Sequence, residues 1–242
     1  MGAGMQQPPA QQGGGSISAL LDLVKVLYEP AAVFQRVTEK PKFLMPFIGI
    51  SVVQIVLGIL NMPFLKAAMQ AQMAQAQAPA GGPDPSKFAA IGLIFVPVGI
   101  AIALVLGAFV LWVLVSLVGG EGKFGTLLSV AAYSAVPSII LLGIVGSVVL
   151  HMQGTQGITS PADMQPALGL DLLAPGAKGF LGAVLKGINP FSIWGLVLTA
   201  IGVSTTHRLS KGSGYVVATA SLVIGLLIAG AFGALFGGRM GG

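Results

Sequence analysis

Two rhythms of polar and apolar residues divide this chain. Residues 1–15, MGAGMQQPPAQQGGG, offer Gln, Pro and Gly and almost nothing to bury, which predicts a disordered tail. Across 16–42 the apolar positions recur at helical spacing. Ile17, Leu20, Leu21, Val24 and Leu27 form one row, with Asp22, Lys25 and Glu29 on the other side. That pattern predicts an amphipathic helix over 16–28, too short and too charged to span a bilayer, lying in the interface. Pro30 ends it, and a second short amphipathic turn carries Val33, Phe34 and Val37. Beyond residue 43 the rhythm changes to five stretches without Asp, Glu, Lys or Arg, at about 43–65, 88–118, 124–150, 189–207 and 214–237. Each is close to or above the roughly 20 apolar residues that a helix needs to cross the hydrocarbon of a membrane. The expectation is an all-α, polytopic transmembrane helix bundle over 43–238, with about five spans and an N-terminal interfacial segment.

Composition supports this reading and removes others. Hydrophobic residues make up 55% of the 242 and charged ones only 8%. That is far too little charge to cover a water-facing surface, since soluble domains carry roughly 25%. The 12 Lys and Arg against 7 Asp and Glu form no basic stripe with interleaved aromatics, so nucleic acid is not an expected partner. The expected partner is the lipid bilayer, whose anionic leaflet favours a surplus of Lys and Arg. With no cysteine in the chain, disulfides, thiolate metal sites and Cys nucleophiles are excluded. The first long apolar run starts at Phe43, so the first span, rather than a cleaved signal peptide, is expected to direct insertion.

Basic residues set the orientation. If the N-terminus is cytoplasmic, the inner segments hold Lys25, Arg36, Lys40, Lys42, Lys123, Arg208 and Lys211. The outer ones hold Lys66, Lys87, Lys178, Lys186 and Arg239. Lys40 and Lys42 stand directly before the first span, where such charge counts most. This predicts a multi-pass protein of the cell (inner) membrane, if prokaryotic, with the C-terminus outside.

Candidate chemistry is sparse. Ionisable groups at mid-span mark proton relays and ion paths, and this chain places Glu121, Lys123, His151, His207 and Arg208 only at span ends. His151 and His207 fall on opposite faces in a five-span topology, and no HExxH motif accompanies either. No catalytic, cofactor-binding or metal-binding residues are therefore expected. The stronger signal is small residues at four-residue spacing. Gly99, Ala103 and Gly107 form one row; Ser221, Gly225, Ala229, Gly233 and Gly237 form another. Such rows let helix backbones approach closely, within one chain or between copies. Pro46, Pro63, Pro97 and Pro137 lie in or beside spans, and each removes a backbone donor. Tyr133, four residues before Pro137, shares its helix face, where its hydroxyl can serve a freed carbonyl.

The order of several short motifs resembles the prokaryotic branch of the Yip family, the Ypt-interacting-protein domain. Glu29-Pro30-Ala31-Ala32-Val33-Phe34 is followed by a first span opening at Phe43-Leu44-Met45-Pro46. Gly122-Lys123-Phe124-Gly125-Thr126 and Ala132-Tyr133-Ser134-Ala135-Val136-Pro137 come next, and Asn189-Pro190-Phe191-Ser192-Ile193-Trp194 leads into the fourth span. The resemblance covers roughly Leu20 to the C-terminus. Tyr133, Pro137, Asn189 and Pro190 carry its motifs, with Ala132 where the family has Gly. It implies a five-span protein with a cytosolic N-terminus that associates with itself or with other membrane proteins. The family's eukaryotic Asp-Leu-Tyr-Gly-Pro motif has no counterpart here, so GTPase binding is not carried over. The function expected is a non-enzymatic, membrane-organising or interaction scaffold. The alternative is a passive channel or a carrier for a lipid or small solute. A continuous polar path lined by Gln54, Asn61, Ser129, Tyr133 or Ser134 would mark the second; a solid bundle would mark the first.

Overall fold

A computed structural model describes residues 14–75 and 85–237; the expected tail at 1–15 lies outside it but for its last two residues. The described residues are mostly helical, and no strand occurs among them. Two short helices come first, α1 (Gly14–Lys25) and α2 (Pro30–Glu39). The bundle follows: α3 (Leu44–Leu60), α4 (Met62–Gln75), α5 (Pro85–Leu117), α6 (Phe124–Ser134), α7 (Leu142–Gln153), α8 (Gly179–Gly187), α9 (Pro190–His207) and α10 (Lys211–Gly237). Three segments are long and apolar enough to cross a membrane unbroken: Ala90–Leu117, Phe124–Gln153 and Lys211–Leu235. Two more are bent pairs, α3 with α4 at 61° and α8 with α9 at 62°, and make five spans if each pair crosses as one.

Local chemistry accounts for both bends. Asn61 closes α3 and Pro63 stands in the first turn of α4, where its missing N–H is tolerated. The Ala/Gln/Met stretch after Leu65 therefore continues as helix, but in a new direction. At the other bend Asn189 begins α9 with a capping box. Its Oδ1 accepts the N–H groups of Phe191 and Ser192 at 3.0 and 2.9 Å, and the Ser192 hydroxyl accepts the Asn189 N–H at 3.0 Å. Pro190 takes the first helical position. Within Phe124–Gln153, Pro137 does not break the span; a π-helical turn at Pro137–Leu141 absorbs it.

The core is densest near the end of the bundle where the N-terminal segment docks. Val33 and Phe34 of α2 are fully buried, together with Leu127, Val130 and Tyr133 of α6, Leu198 and Val203 of α9, and Val217 of α10. Gly202 makes this possible, because a Cβ there would stand 2.7 Å from Val130 Cγ1 and 3.0 Å from the Phe34 ring. On this N-terminal face Lys123 N–H donates to His207 Nε2 at 3.3 Å, tying the turn before α6 to the end of α9. The opposite face carries the α3–α4 bend, the end of α7 and the 154–178 connection. There His151 packs edge-on against Phe64 at 4.8 Å.

Candidate functional site

α1 lies across the N-terminal face, with its faces set differently from a simple apolar/polar division. Leu23 and Val26 are buried, whereas Leu20, Leu21 and Val24 are 41%, 54% and 59% exposed. Leu27 is half-buried; Ile17 belongs to α1, but its side chain lies outside the described residues. The row that the sequence marks as apolar thus points mainly away from the bundle. Asp22, expected on the polar side, is instead buried against the bundle. Its carboxylate receives Arg36 Nη2 at 2.6 Å and Nε at 3.2 Å, a bidentate pair joining α1 to α2. The hydrogen bond to Asp22 raises the Arg36 pKa above its ordinary value, so the guanidinium stays charged. α1 also sits close on α3 at Gly49, where an added Cβ would collide with Leu23.

Tyr133 is buried beneath this pair and lines a small cleft with Asp22, Arg36, Lys40 and Lys42. Pro137, a turn further on, heads the π-helical segment. α9 packs closely there: a Cβ on Gly195 would lie 3.1 Å from the Ser134 carbonyl, and Ser138 Oγ donates to the Phe191 carbonyl at 3.3 Å. Gln54 of α3 donates to the Ile139 carbonyl at 2.6 Å, supplying a partner at mid-span in the disturbed turn.

Two further clefts open elsewhere. The first, about 450 Å³, lies between α5 and α10. Ala103 and Gly107 line it from α5, and Ser221, Gly225 and Ala229 from α10, above a floor that includes Ser134. Space is open around Gly99, Gly107 and Gly225, where an added Cβ would meet nothing within 4 Å. Further along α10 the row is filled from within the chain. A Cβ on Gly233 would stand 2.6 Å from the Gly179 carbonyl of α8; Gly237 is the last residue of α10. The second cleft, about 460 Å³, enters from the opposite face and reaches Gln54, Ser138 and Ile139. Asn61 and Ser147, hydrogen bonded at 2.8 Å, lie along it, and Asp171 and Lys186 stand on the 165–186 side. Nearby, Asp163 closes the 159–163 turn. Burial pushes its carboxyl pKa up, but hydrogen bonds from Thr159 and Ser160 outweigh that and hold it below the ordinary value.

Gln54 and Asn61 therefore belong to one cleft, Tyr133 to another and Ser134 to a third, while Ser129 is buried with its hydroxyl donating to the Gly125 carbonyl at 3.1 Å. Val136 and Pro137, which stand between Tyr133 and Ser138 in the chain, are buried, as is Ile50 of α3. The sequence reading missed the Asp22–Arg36 pair and Asp171. The spacing of 14 residues between Asp22 and Arg36 bridges two helices, and Asp171 lies in a connection without periodicity.

Helices of this length and apolarity, packed without a soluble domain among the described residues, define a polytopic membrane protein of the all-α class. The Yip1 domain family profile matches residues 24–232, and the chain belongs to that family. It is similar to the membrane protein YknW of Bacillus subtilis (strain 168), with 24% identity over 225 residues, covering 90% of this chain and 91% of that one. No solved structure matches it.

Proposed function

We propose that this Yip-family protein is a non-enzymatic scaffold that organises membranes by pairing with a second copy of itself. The open cleft between α5 and α10 carries this reading. Small residues line it from both helices, no helix of this chain enters it among the described residues, and Ser134 leaves a buried, unpartnered hydroxyl at its floor. A helix inserted there gains close backbone contact without needing a hydrophobic driving force. The division of Gln54 and Asn61, Tyr133, and Ser134 among three clefts, with Ile50, Val136 and Pro137 buried, argues against a passive channel.

Because the natural chain lacks cysteine, single introduced thiols report proximity directly. Gly107→Cys and Gly225→Cys are expected to form cross-linked dimers in native membranes several-fold more readily than Val148→Cys, on an exposed face of α7. Equal cross-linking at all three positions, or none at the cleft, removes the pairing proposal. In the same reading the N-terminal face is cytoplasmic and the two termini lie on opposite sides. Reporter fusions at Gly15 and Gly242 are expected to report opposite compartments; the same compartment for both means that one bent pair does not cross.

A further inference from the structure

The cleft on the opposite face holds a pair of charges that the scaffold reading does not use. Asp171 is only 7% exposed; its Oδ1 accepts the Gly169 N–H at 2.9 Å, and its Oδ2 has no partner. A buried ionised oxygen left in that state is strongly destabilising unless a donor meets it. Lys186 lines the same cleft and donates one hydrogen bond, to the Gln165 carbonyl at 3.3 Å, from a group that has three donors. Among the described residues Asp22–Arg36 is the one ion pair within 4.0 Å, so Asp171 and Lys186 do not neutralise each other. The backbone holds them in place. Leu170 N–H donates to the Ile188 carbonyl at 3.0 Å, and a Cβ on Gly169 would lie 2.7 Å from that same oxygen and 3.1 Å from the Lys186 carbonyl.

We infer that this cleft binds a zwitterionic amphiphile whose headgroup carries a primary ammonium and a phosphate, a phosphoethanolamine lipid. The ammonium donates to Asp171 Oδ2, and the phosphate accepts from Lys186. Away from the charges the wall turns apolar at Ile139, Leu142 and Leu150, running to mid-span, which suits an acyl chain. A metal cation would satisfy Asp171 but meet Lys186; a simple anion would meet the reverse. Only a molecule with both charges answers both residues. The primary ammonium matters because a quaternary one has no hydrogen to donate.

The test uses the full chain in nanodiscs containing equal parts of phosphatidylethanolamine, phosphatidylcholine and phosphatidylglycerol, with the bound lipid counted by native mass spectrometry. Phosphatidylethanolamine is expected to be enriched. Asp171→Asn and Lys186→Gln should each bind it about tenfold more weakly, the loss of one charge-assisted hydrogen bond. In lipid-free detergent Asp171→Asn should melt no lower than the natural protein, because it removes an orphaned anion. Added phosphatidylethanolamine should raise the melting temperature of the natural protein and not that of this variant. Equal retention of the three lipids, or unchanged enrichment in both variants, overturns the assignment. Equal stabilisation by free phosphoethanolamine overturns the lipid as the source. Cross-linking at Gly107 and Gly225 reads the other cleft, so the two proposals fail separately.

Discussion

Replacing Leu23 and Val26 with aspartate is expected to strip residues 14–39 from the bundle while the spans remain inserted. Both side chains are buried in the core that α1 and α2 share with α3, α6 and α9. Losing two such burials removes roughly 3–6 kcal/mol of docking free energy, before the cost of burying a charge is added. The pair Leu20→Asp and Val24→Asp changes residues that face outward and should leave the segment docked, altering only its contact with lipid. Limited proteolysis and amide exchange over residues 14–39 distinguish the two pairs. Release by the outward pair, with the inward pair still protected, would mean that lipid rather than the bundle holds the segment.

Gly202→Ala is the second change expected to have a large effect. The new methyl meets Val130 Cγ1 at 2.7 Å, closer than real Cβ atoms approach, and the Phe34 ring at a tight 3.0 Å, and both neighbours are fully buried. Overpacking of this kind typically costs about 1–3 kcal/mol. Gly92→Ala is the control: a Cβ there meets nothing within 4 Å, and the site is exposed in the interior of α5. Alanine at such a position favours the helix by roughly 0.5–1 kcal/mol. The two substitutions should therefore shift the melting temperature in opposite directions. A neutral Gly202→Ala would show that the contact between α2 and α9 is looser than its geometry.

The class of fold was legible because a membrane demands long uncharged runs, and this sequence supplies them with sharp edges at Phe124, Asn189-Pro190 and Lys211. Helix starts are local chemistry, so Asn189-Pro190 could be read directly. Directions between helices are not local. Asn61 and Pro63 mark a break without fixing a 61° bend. Pro137 marks a disturbance without revealing that a π-helical turn would keep the span continuous. The facing of α1 was hidden for a different reason. An amphipathic row has two apolar surroundings open to it beside a membrane, lipid and protein, and periodicity does not distinguish them. Asp22 settles the matter in the structure, yet its partner is on the next helix. Asp171 lay out of reach because the connection that holds it, before α8, has no repeating pattern, and nothing in that stretch pairs it with Lys186.

The seat of Phe34 against Gly202 also imposes an order in time. α2 is translated long before α9, the helix that completes its binding groove. At about 5–20 residues per second the wait is on the order of ten seconds or more. Through that interval Val33, Phe34 and Val37 have no protein partner from α9. The seat of α2 is thus complete only after α9 is made, although α2 precedes it in the chain.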